Sequence, residues 1–126
     1  HAALKLSELA IGIGPFVVGP AVERKLGTAA FSALAIDAAS WRTAEWGLQK
    51  GLYAQLFNTP EELDAGVDEL ASRLASSSPA AMQSLKKVFW QGTDHWEQLL
   101  ADRASVSGAL VLSDFTRQAI TAFKKR

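Results

Sequence analysis

The chain is 126 residues long, which is enough for one domain with a modest hydrophobic core. Its 13 basic residues balance its 13 acidic residues, so the charge does not favour a nucleic acid or a membrane surface as the partner. The lack of cysteine excludes a disulfide framework, a thiolate nucleophile and a cysteine metal site. Glycine and proline break the apolar stretches before they reach the roughly 18 residues of a membrane span, so we expect a soluble, cytoplasmic protein.

A single acidic side chain, Glu8, interrupts an apolar run close to the N-terminus. Gly12, Gly14 and Pro15 follow it and predict a turn. If this segment packs inward, loss of hydration would disfavour the charged form of Glu8 and suit it to act as a general acid or base. The alternative is an ordinary solvated or capping acid, which is the commoner role for a lone carboxylate beside a turn.

The rest of the chain is predicted to be mainly helical, because apolar residues recur at helical spacing between caps, glycines and prolines. Alternation over Tyr53–Phe57 predicts one short strand. The predicted helices are Phe16–Leu26 with Gly27 as its stop, Ala29–Ile36 with Thr28 as its N-cap, a segment capped by Thr43 that runs to Gln49, a segment capped by Thr59 that runs to about Ser76, Pro79–Gln91, His95–Leu112, and a last helix capped by Asp114.

Other chemistries find little support in the sequence. His1 and His95 are the only histidines and lack the spacing of a metal site, so we expect no metal. The glycine pair at the predicted turn lacks the third glycine of a dinucleotide-binding turn, and no serine lies in a nucleophile elbow. Arg42 is interpreted as the partner of a carboxylate, with a phosphate as the alternative.

Several short motifs follow one another along nearly the whole chain. In the segment 6–27, Glu8 precedes Gly12 and Pro15, and a helix then ends in the sequence Arg-Lys-Leu-Gly. The later motifs are Ala44–Leu48, Ser78–Met82 with Lys86, and Ala122–Arg126. Together these motifs resemble, in the same order, those of the crotonase superfamily of enoyl-CoA hydratases and isomerases, in which the residue matching Glu8 is an active-site glutamate.

This resemblance implies the α/β crotonase (ClpP/crotonase-like) fold, of which this chain would be the mainly α-helical C-terminal half with one or two short strands, the first at Ala3–Leu6. Residues 1–58 would be the C-terminal part of the crotonase core that carries the glutamate loop, and residues 59–126 a helical oligomerisation region. The resemblance also implies an N-terminal half that this sequence lacks, and a homotrimer or hexamer.

For the chemistry, the resemblance implies that Glu8 exchanges the proton at C2 of a 2-enoyl-CoA while water is added across the double bond. Pro15 and Phe16 would lie near the acyl group, and Phe123 and Arg126 near the adenine and phosphates of coenzyme A. Coenzyme A would enter as part of the acyl-CoA substrate, with no separate cofactor. We expect this half alone to be inactive, because the amides that stabilise the thioester oxygen and a second glutamate belong to the N-terminal half.

Three alternatives stay open. The first is an enoyl-CoA isomerase that uses Glu8 alone, and the second is a non-catalytic helical assembly module. The third is a different reaction of a CoA thioester, such as hydrolysis or decarboxylation. The loop Phe16–Pro20 resembles that of methylglutaconyl-CoA hydratase-like proteins, which favours a branched or unsaturated acyl group.

Overall fold

The computed structural model describes residues 2–124. Two short strands and a 3₁₀ helix accompany seven α-helices in this part of the chain. In order, the elements are β1 (Ala3–Leu4), the 3₁₀ helix Glu8–Ile11, α1 (Gly19–Leu26), α2 (Thr28–Ile36), β2 (Arg42–Thr43), α3 (Ala44–Gln49), α4 (Pro60–Ala75), α5 (Pro79–Phe89), α6 (Trp96–Val111) and α7 (Asp114–Lys124). None of the helices described is long and apolar enough to cross a membrane.

The chain forms two compact units. The first contains the residues up to Ala54 together with those from Glu97 onward, and the second is Gln55–Trp96. The predicted boundary after residue 58 separates regions by their roles in catalysis and assembly, and it stays a prediction.

The first unit has its core where α2 packs against α1. Leu34 on α2 is 2% exposed, and Ala30 and Ala38 are also buried. The small side chain of Ala30 leaves room for a neighbouring element to pack closely on α2. This core positions the 3₁₀ helix, which contacts α2 and α7.

The two strands pair antiparallel, with Ala3 opposite Thr43 and Leu4 opposite Arg42. The guanidinium of Arg42 forms an ion pair of 2.8 Å with Asp37, which confirms the carboxylate as its partner. Thr43 then caps α3 as predicted, because its hydroxyl accepts a hydrogen bond of 3.2 Å from the Trp46 amide. Two hydrogen bonds, from its own backbone N–H and from the Thr43 hydroxyl, lower the pKa of Glu45 in the first turn.

The second unit contains α4 and α5, which begin at their N-caps Thr59 and Ser78. The Thr59 hydroxyl accepts a hydrogen bond of 3.1 Å from the Glu62 amide. The Glu62 carboxylate in turn accepts one of 2.9 Å from the Asn58 amide. The first bond satisfies an amide that the start of the helix leaves free, and the second ties the residue before the cap to the first turn. The predicted helix is confirmed.

The prediction of a strand at Tyr53–Phe57 is wrong. This segment is irregular, and its two aromatic rings lie against helical glycines instead of alternating across a sheet. The Tyr53 ring covers Gly47, where a β-carbon would lie 2.7 Å from the ring, and the Phe57 ring covers Gly66 in the same way. The two aromatic side chains therefore pack on two different helices, α3 and α4. Their alternating spacing in the sequence would look the same if they lay on one face of a strand, so periodicity alone cannot distinguish the two cases.

Three helix starts also differ from the prediction. The first predicted helix begins at Gly19 instead of Phe16. Thr28 is not an N-cap, since its hydroxyl donates to the Glu23 carboxylate at 2.8 Å and Gly27 occupies the cap position. Asp114 lies inside α7, where the preceding Ser113 accepts a hydrogen bond of 3.3 Å from the Thr116 amide. In both cases the residue just before the predicted N-cap occupies the cap position. A difference of one residue is within the usual uncertainty of helix ends.

Candidate active site

Glu8 is the first residue of the 3₁₀ helix, which places its carboxylate at the start of a tight turn. The turn ends at Gly12, whose φ of +81° lies in the left-handed region that glycine adopts without strain. The Gly12 amide donates to the Leu9 carbonyl at 3.1 Å, and the Ile13 amide donates to the Glu8 carbonyl at 3.0 Å. The backbone around Glu8 is therefore fixed on its C-terminal side by two hydrogen bonds.

The start of α7 packs directly on this turn. A β-carbon at Gly12 would lie 2.5 Å from the Phe115 ring and 2.8 Å from the Thr116 hydroxyl oxygen. Thr116 is fully buried, and its hydroxyl oxygen lies 3.1 Å from that of Ser113 in a hydrogen bond between the two. Glycine at position 12 thus serves both the backbone conformation and the close approach of a helix from the far end of the chain.

A cleft of about 470 Å³ opens beside the Glu8 carboxylate. Its walls come from the segment after the turn, from Glu8 itself and from one serine of α6. The lining residues are Glu8, Ile13, Gly14, Pro15, Phe16, Val17, Val18 and Ser107. Most of this lining is apolar, with a carboxylate and a hydroxyl as its polar side chains, which is the usual composition of a small-molecule site.

Phe16 shapes the cleft by folding back over Gly14. Its amide donates to the Gly14 carbonyl at 2.8 Å. A β-carbon at Gly14 would lie 2.5 Å from the end of the Phe16 ring, so any larger residue at position 14 would displace the ring. The glycine-proline sequence that predicted a turn therefore also determines where an aromatic ring lies in the cleft.

The Glu8 carboxylate has an oxygen atom, Oε2, that is buried without a hydrogen-bond partner among residues 2–124. Buried polar atoms are nearly always paired, because an unpaired one loses its hydration without compensation. An unpaired carboxylate oxygen at an apolar cleft is free to accept a proton or a hydrogen bond from a molecule that enters it. The role of Glu8 as a general acid or base stays a prediction.

The structure brings together three of the five site residues expected from the sequence. Glu8, Pro15 and Phe16 line the cleft. Phe123 lies near the end of α7, is 73% exposed, and does not line the cleft. Arg126 lies outside the described residues.

Sequence reasoning missed the contribution of α6. Ser107 lines the cleft although it lies 99 positions after Glu8 in the chain, and no local pattern marks it. The predicted helix Phe16–Leu26 includes Val17 and Val18, whereas in the structure they form part of the cleft wall before α1 begins. Among residues 2–124, no group of three histidine, aspartate or glutamate side chains is placed to hold a metal ion.

Comparison with known proteins gives a structural match without a sequence match. No protein-family profile and no curated protein matches the sequence. An enoyl-CoA hydratase from Mycobacterium avium matches the structure with a TM-score of 0.87 and 22% sequence identity, over 98% of this chain and 48% of that chain. An enoyl-CoA hydratase/isomerase from Pseudoalteromonas atlantica T6c matches with a TM-score of 0.84 and 17% identity, over 98% of this chain and 50% of that chain.

The chain has a crotonase-like fold. It spans about half the length of the solved structures that it matches. The predicted fold class is confirmed, since the observed architecture is mostly helical with one short two-stranded sheet.

Proposed function

We propose that this chain is the C-terminal half of an enoyl-CoA hydratase/isomerase-type enzyme, in which Glu8 exchanges the proton at C2 of a 2-enoyl-CoA. The observation that carries the proposal is the buried, unpartnered Oε2 atom of Glu8 at an apolar cleft. The crotonase-like fold supports it, because both matched structures have an enoyl-CoA hydratase activity in their names.

The reaction adds the oxygen of water to C3 of the enoyl thioester and a proton to C2. Negative charge develops on the thioester oxygen as the bond to C3 forms, and it is released when C2 is protonated. A carboxylic acid at the Glu8 position supplies that proton, and the carboxylate removes it in the reverse direction. The unpaired Oε2 atom leaves this oxygen available for the transfer.

The rest of the machinery belongs to a second polypeptide segment in this proposal. Backbone amides must stabilise the developing charge on the thioester oxygen, and a second glutamate must hold the water. We assign both to an N-terminal half, so this chain alone is expected to be inactive. The complete enzyme is proposed to be a cytoplasmic trimer or hexamer with an acyl-CoA as its substrate.

The cleft wall is proposed to bind the acyl group. Pro15 and Phe16 line the cleft together with three further apolar side chains, so the wall suits a hydrocarbon chain, including a branched one. Phe123 and Arg126 are proposed to contact the adenine and phosphates of coenzyme A. The high exposure of Phe123 leaves its ring available for such a contact.

The test is Glu8→Gln in the full-length protein, with hydration of short 2-enoyl-CoA thioesters as the measured activity. Glutamine keeps the shape of the side chain but cannot exchange a proton, so we expect turnover to fall by about 10²–10⁴-fold. Equilibrium binding of the substrate should change little. Glu61→Gln removes an exposed carboxylate of α4 and serves as the matched control.

Unchanged turnover in Glu8→Gln would contradict the proposal and favour a non-catalytic assembly module. Product analysis separates the remaining outcomes. Exchange of solvent deuterium into the substrate with a shifted double bond, and no addition of water, would identify an isomerase. Release of free coenzyme A would identify thioester hydrolysis, and release of carbon dioxide from an acyl-CoA that carries a free carboxylate would identify decarboxylation.

A further inference from the structure

Arg103 of α6 joins two segments that lie far apart in the chain. Its guanidinium donates a hydrogen bond of 3.4 Å to the backbone carbonyl of Phe16, 87 positions away. Phe16 belongs to the cleft wall, and so does Ser107, which lies one helical turn after Arg103. One face of α6 therefore supplies a lining residue and, through Arg103, a contact to the backbone of the opposite wall segment.

The same guanidinium packs against the end of that wall segment. Gly19 is buried, and a β-carbon there would lie 3.3 Å from the Nη1 atom of Arg103 and 3.0 Å from the Phe31 ring. The segment from Phe16 to Gly19 is thus held between an arginine of α6 and an aromatic ring of α2. A side chain at position 19 would require the arginine or the ring to shift by a few tenths of an ångström.

Arg103 has no competing ionic partner in the described part of the chain. The ion pairs there join Asp37, Glu69 and Asp114 to other arginines, and none includes Arg103. A half-buried guanidinium usually pairs with a carboxylate, because a charge loses hydration on burial. Here the acceptor shown is a backbone carbonyl of the cleft wall, so Arg103 links that wall to α6.

We propose that Arg103 is a positioning residue that fixes the cleft wall Phe16–Gly19 to α6 and thereby sets the affinity of the cleft for its ligand. The statement about affinity rests on the proposed function, whereas the statement about the wall does not. Glu8 is held separately, by the turn at Gly12 and by α7, so loss of Arg103 should loosen the wall without moving the carboxylate.

The first experiment measures hydrogen exchange in the full-length Arg103→Met protein. Methionine keeps a long apolar side chain and removes the guanidinium. The amides of Gly19 and Val22 donate to the carbonyls of Pro15 and Val18, so they report directly on the wall. We expect exchange over residues 16–22 to accelerate at least about fivefold, with exchange over residues 8–12 unchanged.

Arg117→Met removes an exposed guanidinium of α7 and is the matched control. It should leave exchange over residues 16–22 as in the parent protein. Unchanged exchange in Arg103→Met would overturn the proposal, and so would uniform acceleration over both segments, which would mean general destabilisation. This readout needs no substrate, so it decides the role of Arg103 even if the proposed enzymatic function fails.

The second experiment follows the kinetics of the same variants. A looser wall weakens binding without removing the proton-transfer group, so KM should rise about tenfold while kcat changes less than about twofold. Arg103→Lys keeps a donor and should recover part of the loss in KM. A fall in kcat with KM unchanged would indicate loss of folded protein instead and would contradict the proposal.

Discussion

Gly12 is the residue on which the geometry around Glu8 depends most directly. Gly12→Ala should destabilise the protein for two reasons, the positive φ and the overlap with Phe115 and Thr116. Gly51→Ala isolates the first reason, because Gly51 has a φ of +78° and would meet only Lys25 at an ordinary 3.8 Å. We expect Gly51→Ala to lower the free energy of unfolding by about 1–2 kcal/mol and Gly12→Ala by clearly more. Urea unfolding measures both, and equal losses would contradict the packing role of Gly12.

At this scale the sequence predicts the turn but not the residues that pack on it. Two glycines and a proline indicate the turn, whereas Glu8 was singled out by the resemblance to the crotonase superfamily, and its role stays a prediction. The contacts of α7 with Gly12 and of Arg103 with Phe16 were not predictable, because they join positions separated by about a hundred residues and no local pattern records them. Ser107 is missed for the same reason.

At the scale of elements, the N-cap of α4 gives a clear test. Thr59→Ala removes the hydroxyl that accepts from the Glu62 amide, and the loss of one cap costs about 1 kcal/mol. Thr59→Ser keeps the hydroxyl and should restore most of that free energy of unfolding. Urea unfolding followed by circular dichroism measures the difference. A similar loss in both variants would mean that the threonine methyl group, and not the cap, stabilises the helix.

The helices were predictable where local capping residues mark their ends, as Thr43 and Thr59 do. The strand expected at Ala3–Leu6 from the resemblance is confirmed as β1, whereas β2 was not predicted, since it has only two residues and depends on pairing with β1. At Tyr53–Phe57 a strand was predicted where the structure has none. The alternation of this segment is typical of a strand, yet packing on Gly47 and Gly66 determines its conformation.

For the whole molecule, the main feature is the amount of apolar surface that the described residues leave exposed. Ile36, Trp41, Leu112 and Phe115 are each more than 60% exposed, whereas only Ala30, Leu34 and Ala38 form the buried apolar core. Large contiguous apolar patches mark interfaces, and the chain spans about half of the matched structures. We propose that the other half of the crotonase-like fold covers part of it.

This proposal predicts the behaviour of the chain in solution. Addition of a polypeptide that carries the other half should raise the thermal midpoint, because a partner that binds the folded form shifts the equilibrium towards it. Native mass spectrometry should then show the two together. A stable 13.5 kDa monomer with an unchanged midpoint would contradict the proposal.

The edge-to-face pair of Trp90 and Trp96 gives the second unit an optical signature. Their ring centroids lie 5.9 Å apart with an angle of 89° between the planes, close enough for the electronic transitions of the two indoles to couple. In a variant whose Trp41 and Trp46 are replaced by phenylalanine, the near-ultraviolet circular dichroism of this pair reports on residues 55–96. Trp41, with the Lys5 ammonium 4.6 Å from its ring centroid, reports on the first unit by fluorescence when the other three tryptophans are replaced by phenylalanine. Two chromophores in separate units therefore show whether the chain melts in one step or two, because coincident curves require a single cooperative transition.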